Sequence, residues 1–262
     1  MKLPKPLFID LDRLRSDHFE LSEIGLNEED RGIYRTAFSD ADMEARRWLM
    51  RKLEAIGIEP HMDGAANVHG LLEHPDTDKR FVIGSHIDTV PCAGTLDGAL
   101  GVLVALESLR CIQESGTNTG QGIEIVAFSD EEGRFGGMFG SEAYCGAITP
   151  ESLQYYSDLE DRTLAEAMTA QGLDPLKALE AKRDADLITG YLEVHIEQGP
   201  VLDKQRKQVG IVETITGLFK WLVRIRGEAN HAGTTPMQMR RDAFLGLAEF
   251  ANELPRILEE NG

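Results

Sequence analysis

The chain has 262 residues, of which 42% are hydrophobic, so it is long enough for one complete domain and part of a second. It carries 27 basic and 45 acidic residues, and its net charge of −18 opposes binding to phosphate backbones and anionic lipid surfaces. We therefore expect neither nucleic-acid nor membrane partners. Residues 1–6 lead into charged sequence without an apolar signal core, and no apolar run approaches the roughly 18 residues of a membrane span. These features predict a cytoplasmic protein.

The three cysteines are an odd number at unrelated spacings, which fits neither a disulfide framework nor a zinc-ribbon pattern. We expect reduced thiols with a structural role at Cys92, Cys111 and Cys145.

The first clear element is a helix that begins after Ser39. Asp42 follows Ser39 by three residues, as in a capping box, and Gly57 marks the end of the helix. Its apolar residues repeat at helical spacing: Ala45, Leu49, Leu53 and Ile56. We expect this helix to pack against the core and to carry no catalytic residue.

Strands and helices then alternate along the chain. Strands are predicted over residues 67–73 and 81–85, with a turn at 74–78 between them. A buried helix is predicted over 101–109, followed by strands over 123–128 and 191–196. This alternation predicts an α/β sandwich around a largely buried sheet.

The pattern changes after about residue 213. Trp221, Val223 and Ile225 alternate with other residues as in a half-exposed strand, and residues 242–258 resemble an amphipathic helix interrupted near Pro255. We place a domain boundary between residues 215 and 217. Residues 1–215 then form the main domain, and residues 216–262 are too few for a comfortable core of their own.

Two residues near the second predicted strand are candidates for metal chemistry. In His86-x-Asp88 the histidine can bind a divalent cation through one ring nitrogen while the Asp88 carboxylate accepts the proton on the other. Asp97 lies on a turn before a helix, where a carboxylate can reach two cations. Without this context, Asp97 is equally well explained as a helix cap.

Glu131 and Glu132 follow an apolar strand directly, and two adjacent carboxylates repel each other unless they have partners. We predict that Glu132 binds a metal and that Glu131 acts as general base and acid. The alternative is a pair of exposed loop glutamates. His195 is a further candidate ligand, with a buried core histidine as its alternative. His86, Glu131 and His195 all lie near predicted strand ends, where ligands of α/β folds collect.

Five segments together resemble the hydantoinase/carbamoylase branch of the dinuclear-metal aminoacylase and carboxypeptidase superfamily. This branch includes N-carbamoyl-L-amino-acid hydrolases, allantoate amidohydrolases and β-ureidopropionases. The segments are Gly-Ser-His-Ile-Asp-Thr-Val at 84–90, Leu-Asp-Gly-x-x-Gly-Val at 96–102, Glu-Glu-Gly-Arg-Phe at 131–135, His-Ile-Glu-Gln-Gly-Pro-Val-Leu at 195–202, and residues 227–237 around Asn-His-Ala-Gly. The resemblance extends from about residue 7 to the end.

The resemblance implies a zinc-peptidase-like, three-layer α/β catalytic domain followed by a partial α+β lid and dimerisation domain. It implies that His86 and His195 bind one metal and that Glu132 binds a second metal beside catalytic Glu131. Asp97 is implied to bridge the two metals. A histidine at 195, where peptidase relatives carry an acidic ligand, favours the carbamoylase branch. Members use two divalent ions, of zinc, manganese, cobalt or nickel, and mixed His and carboxylate ligands do not choose among them.

The resemblance also implies roles in the second domain. His231 matches a lid histidine that polarises the scissile carbonyl, and Asn230 and Gln198 are candidates for substrate contacts. Family members are longer, and their last metal histidine and two substrate-binding residues match positions beyond Gly262. We therefore expect the second metal site to be incomplete in this chain, and a homodimer to form through the lid in the full-length parent.

The leading functional hypothesis is hydrolysis of the carbamoyl C–N bond of N-carbamoyl-L-amino acids, small ureido substrates. An allantoate or ureidoglycine amidohydrolase, or an aminoacylase-like peptidase, is the enzyme alternative. Leu218 stands where allantoate-specific relatives tend to carry glutamine, which favours carbamoyl amino acids. A catalytically silent fragment is the non-enzyme alternative, and we expect the 262-residue chain by itself to be inactive.

Overall fold

The protein is described by a computed structural model that covers residues 7–215, 217 and 222–261. Contacts divide the chain into two compact units, residues 1–200 and 201–262. Residues 201–215, which we expected to belong to the main domain, group with the second unit, and the boundary drawn from the sequence stays a prediction.

The first unit contains six α-helices and five strands among its described residues. The helices are α1 (Leu11–Glu23), α2 (Asp40–Glu54), α3 (Ala99–Ser115), α4 (Phe139–Cys145), α5 (Ser152–Tyr155) and α6 (Leu164–Ala170). The strands are β1 (Pro60–Met62), β2 (Val68–Leu72), β3 (Arg80–His86), β4 (Gly122–Phe128) and β5 (Ile188–Leu192). Two 3-10 helices, Pro175–Glu180 and Ala185–Leu187, precede β5.

The five strands form one mixed sheet in the order β1-β2-β4-β3-β5. Strand β3 runs parallel to both β4 and β5, whereas β2 is antiparallel to β4 and to β1. His86 pairs with Phe128, so β3 and β4 end side by side. The chain that leaves each of these strands therefore starts at the same edge of the sheet.

The sheet presents two different faces. Ile123, Ile125 and Ala127 of β4 belong to a buried core shared with α1, α2 and α3. On the other face Phe128 contacts the Tyr144 ring of α4 at 5.6 Å between centroids. A second buried cluster joins α4 and α6. The alternation of β4 thus separates two helical layers, and the α/β class expected from the sequence is confirmed.

Helix α2 begins as its sequence predicts. Ser39 is the N-cap, and its side chain accepts a hydrogen bond from the Asp42 backbone N–H. Ala45, Leu49 and Leu53 are all fully buried in the first core. Helix α3 is longer than the predicted 101–109, because Ala99 starts it directly after Gly98 and Gly116 ends it in a left-handed conformation.

Strand β5 differs from its prediction. It covers Ile188–Leu192 rather than residues 191–196 and therefore ends three residues before His195. The apolar residues Leu192 and Val194, which suggested a strand, are exposed at 54% and 43%. Their alternation reflects an edge of the sheet and not a buried interior strand.

The second unit contains α7 (Val201–Gln205), a 3-10 helix (Met237–Met239) and α8 (Ala243–Asn261). Helix α8 runs through Pro255, so the predicted interruption is wrong. Proline removes one backbone donor, and the residue four positions earlier, Ala251, is exposed where water can solvate its carbonyl. Trp221 lies outside the described residues, and residues 222–226 hold no strand, contrary to expectation.

Two further findings bear on the sequence predictions. No helix among the described residues is long and apolar enough to cross a bilayer. Cys92, Cys111 and Cys145 are all free cysteines.

Candidate metal centre

His86 is the last residue of β3 and is 1% exposed. Its Nδ1 lies 3.0 Å from the backbone carbonyl oxygen of Asp88 and 3.9 Å from the Asp88 carboxylate. The backbone carbonyl, and not the expected carboxylate, therefore orients the ring, because the turn after β3 brings that oxygen closer. Nε2 is left facing Glu131, whose Oε2 is 3.5 Å away.

Gly98 makes this orientation possible. A Cβ at this position would lie 2.3 Å from His86 Nε2, closer than any side chain tolerates, and the backbone has φ +61°. Glycine satisfies both the close approach and the positive φ. Asp97 directly precedes Gly98, so its carboxylate lies close to the histidine.

The Asp88 carboxylate was expected to orient His86, but it contacts the Glu132 backbone instead. It is fully buried, and its Oδ2 accepts a hydrogen bond from the Glu132 backbone N–H at 3.2 Å. Asp88 thus joins the end of β3 to the segment after β4: its carbonyl holds His86 and its carboxylate holds Glu132.

Two groups of candidate ligands meet at this edge of the sheet. His86, Asp97 and His195 form one group, and His86, Glu131 and Glu132 form the other, each with ligand atoms within 4.8 Å of one another. His195 Nε2 lies 3.3 Å from Asp97 Oδ1. The four predicted metal ligands and the predicted base Glu131 are therefore brought together, with His86 common to both groups.

The carboxylates of this centre are suited to a cation. Among the described residues, three of the buried oxygens without a hydrogen-bond donor belong to this centre: Asp88 Oδ1, Asp97 Oδ1 and Glu132 Oε1. Burial and the charge of Asp97 raise the pKa of Glu132 to about 7. Buried carboxylate oxygens without a donor are costly, and a divalent ion removes that cost. The donor set of imidazole and carboxylate fits such an ion.

A loop after β4 holds Glu131. The buried Asp130 carboxylate accepts hydrogen bonds from the backbone N–H groups of Phe135 and Gly136, each at 3.2 Å. Burial and the charge of Asp88 raise the pKa of Asp130 to about 7. The loop thus folds around Asp130, while the Glu131 side chain stays 42% exposed beside His86.

Two buried arginines that the sequence analysis missed support the centre. Arg35 donates from Nε to the Ile87 carbonyl at 2.8 Å, and Arg46 donates from Nη2 to the Phe128 carbonyl at 3.3 Å. Arg46 also pairs with Asp42 at 3.0 Å, one turn earlier in α2. The i, i+4 spacing of Asp42 and Arg46 within a helix was the signal in the sequence that could have identified this pair. Helix α2 is therefore not only a packing element.

Gln198, expected to contact substrate, donates from Nε2 to Asp97 Oδ2 at 2.6 Å. In this structure its amide thus orients the carboxylate that we expect to bridge two metals.

His231 and Asn230 are described within the second unit. His231 Nδ1 accepts hydrogen bonds from the backbone N–H groups of Gly233 at 3.1 Å and Thr234 at 3.2 Å. The Asn230 side chain donates to the Glu228 carbonyl at 3.2 Å. The ring of His231 is thereby held with Nδ1 as acceptor, so Nε2 carries the proton of the neutral ring. Its predicted role stays a prediction.

Imidazole and carboxylate ligands gathered at one edge of a sheet, together with a partly exposed glutamate, are typical of metal-dependent hydrolases. Comparison with known proteins specifies this class further. The model of Peptidase family M28 matches residues 67–193. An N-carbamoyl-L-amino acid amidohydrolase of Geobacillus stearothermophilus is 40% identical over 242 residues, which are 91% of this chain and 58% of the relative. Allantoate deiminase 2 of Glycine max is 36% identical, with 83% and 46% covered.

A solved amidase of the hydantoinase/carbamoylase family from Burkholderia phymatum has the same fold, with a TM-score of 0.77 and 33% identity. The match covers 99% of this chain and 62% of that one. The chain thus belongs to the hydantoinase/carbamoylase family and spans about three fifths of the length of such relatives. Membership in this family implies the use of divalent metal ions.

Proposed function

We propose that this chain is the metal-binding part of an amidohydrolase that cleaves the carbamoyl C–N bond of N-carbamoyl-L-amino acids. The observation that carries the proposal is that His86, Asp97, His195, Glu131 and Glu132 meet at one edge of the sheet. Curated relatives named for this activity, such as the Geobacillus stearothermophilus protein at 40% identity, support the choice of substrate.

The metal ligands proposed are His86, Asp97 and His195 for one ion, and Asp97 and Glu132 for the other. When bound, the two ions supply Lewis-acid activation of water and of the ureido carbonyl. Zinc, manganese, cobalt and nickel all remain candidates. Only Asp97 and Glu132 are proposed for the second ion, so we propose that residues 1–262 hold it more weakly than the first.

Glu131 moves the proton in the proposed reaction. Its carboxylate is near the shared histidine and open to solvent, so it can take a proton from the attacking water and deliver it to the leaving nitrogen. Asp88 holds the backbone of Glu132 in place during this transfer, and Asp130 holds the loop that follows Glu131 through the Phe135 backbone N–H. The protonated Nε2 of His231 is the proposed donor to the developing oxyanion, and Asn230 and Gln198 are proposed to lie near the substrate.

The function is tested by ammonia release from a panel of N-carbamoyl-L-amino acids, allantoate and an N-acyl amino acid. The 262-residue chain is assayed beside any longer product of the same gene, each with and without a chelator. We expect chelator-sensitive release from carbamoyl amino acids by the longer product and none by the shorter chain. A longer product that binds metal but releases no ammonia from any of these compounds would refute the proposal.

Replacement of the proposed base provides a sharper test. Glu131→Gln keeps the shape of the side chain but cannot accept the proton, so kcat is expected to fall about 10²- to 10⁴-fold. Metal content should change little, because His86 and Glu132 keep their ligand atoms. Glu160→Gln, at an exposed loop position, is the matched control and should leave both quantities unchanged. Retention of kcat in Glu131→Gln would remove Glu131 from the mechanism.

Allantoate is the second candidate substrate, favoured by the similarity to the Glycine max enzyme of that name. Leu218, which argued against it, lies outside the described residues. The relative rates on allantoate and on carbamoyl amino acids decide between the two.

We further propose that the parent enzyme is a cytoplasmic homodimer whose contacts involve residues 216–262. Helix α8 supports the dimer, because Phe244, Leu247 and Leu254 recur at helical spacing and are exposed at 71%, 48% and 37%. Analytical ultracentrifugation of the longer product tests the dimer, and cell fractionation tests the location.

A further inference from the structure

His195 occupies an unusual position for a metal ligand. It follows β5 by three residues, and its side chain is 30% exposed. Its Nδ1 lies 2.9 Å from the carbonyl of its neighbour Ile196. A ligand on an exposed segment loses conformational freedom when it binds an ion, so an ordered segment favours binding.

Glu193, two residues before His195, is held at both carboxylate oxygens. The hydroxyl of Ser85 donates to Oε1, and the hydroxyl of Tyr191 donates to Oε2 at 2.8 Å. Ser85 is 1% exposed and directly precedes His86. Hydrogen bonds to an ionised acceptor are stronger than those between neutral groups. Glu193 therefore ties the segment that carries His195 to the strand that carries His86.

The same segment also lies in close contact with α3. A Cβ at Gly101 would lie 2.5 Å from the Val194 carbonyl oxygen and 2.7 Å from the Ser85 Cβ. Glycine thus lets the first turn of α3 approach both segments. Immediately before the ligand, Glu193 thus contacts β3 and Val194 lies against α3.

We propose that Glu193 is a positioning residue that sets His195 against His86 and Asp97 before a metal binds. Neither ligand group found among the described residues includes Glu193, so it acts through His195 and not as a ligand. The observed spacing is consistent with this role: the rings of His86 and His195 are stacked with centroids 5.8 Å apart. The inference rests on the proposed metal centre and adds a residue to which no role has been given.

The test measures Co²⁺ binding to the 262-residue chain by equilibrium dialysis, with the melting temperature of the metal-free protein measured in parallel. Glu193→Gln keeps the size of the side chain but loses the charge and one acceptor oxygen. We expect Co²⁺ to bind about 10- to 100-fold more weakly, with an unchanged melting temperature of the metal-free protein. Tyr191→Phe should weaken binding in the same direction.

Two matched controls accompany these variants: Glu160→Gln for the charge and Tyr155→Phe for the hydroxyl, both at exposed positions and both expected to bind Co²⁺ like the wild type. The double variant Glu193→Gln/Tyr191→Phe should bind little more weakly than Glu193→Gln alone, because the Tyr191 hydroxyl contacts Glu193 at 2.8 Å and the Gly84 carbonyl only at 3.3 Å.

Wild-type affinity in Glu193→Gln would overturn the inference and leave the proposed function standing. A fall in the melting temperature of metal-free Glu193→Gln would also overturn it, since the residue would then stabilise the fold generally. If the wild-type chain itself binds no Co²⁺, the proposed metal centre fails, and the inference fails with it.

Discussion

The contact between Gly98 and His86 gives the most direct test of how the fold prepares the metal centre. In Gly98→Ala the new Cβ would stand 2.3 Å from Nε2 and Cε1 of the ring and 2.4 Å from Nδ1. Ordinary carbon contacts are about 3.5–4.0 Å, so the ring must move by more than about 1 Å. The hydrogen bond from Nδ1 to the Asp88 carbonyl, now 3.0 Å, cannot survive that displacement.

The expected loss of stability in Gly98→Ala has two parts. Alanine at φ +61° is strained by about 1–2 kcal/mol, and the lost hydrogen bond costs about 1 kcal/mol. We expect the free energy of unfolding of the metal-free protein to fall by about 2–3 kcal/mol. Co²⁺ affinity should fall at least about tenfold, because the ring common to both ligand groups is displaced.

Urea denaturation and equilibrium dialysis measure these two quantities. Gly116→Ala is the matched control: its φ is +63°, and no heavy atom lies within 4 Å of the added Cβ. It carries the backbone strain alone, so it should lose about 1–2 kcal/mol and bind Co²⁺ normally. Wild-type Co²⁺ affinity in Gly98→Ala, or equal losses of both stability and affinity in the two variants, would refute the reasoning.

Two further predictions concern buried charges. Burial opposes protonation of His69, but hydrogen bonds to Asp63 and Glu124 outweigh it and raise the pKa of His69, while they lower the pKa of both carboxyl groups. The stability advantage of the wild type over His69→Gln should therefore be complete just below about pH 6.5 and be lost as pH rises through the folded pKa of His69. Urea denaturation from pH 5 to 9 checks this, and an advantage that grows with pH would contradict it. Arg46→Met leaves Asp42 buried without its cation, so the free energy of unfolding should fall by about 3–5 kcal/mol. A loss below about 1 kcal/mol in urea denaturation would show that the pair is dispensable.

The local signals in the sequence predicted several elements well. The Ser39 cap and the helical repeat after it gave α2, and the apolar run before Ser129 gave β4 to within one residue. Caps and short-range periodicity depend on neighbouring residues, so they can be read without a structure. Strand β5 was misplaced because an exposed edge strand and an extended loop share the same alternation of residues.

The sequence by itself determined the chemical inventory: the imidazoles and carboxylates, the family to which their spacing belongs, and the α/β class. Only the tertiary structure determined which of these groups contact each other. The backbone carbonyl of Asp88 orients His86, its carboxylate holds Glu132, and Gln198 binds Asp97. Arg46 and Glu193 gained a role only when residues far apart in the chain met at one edge of the sheet. Such contacts depend on strand register and turn geometry, which residue identity does not specify.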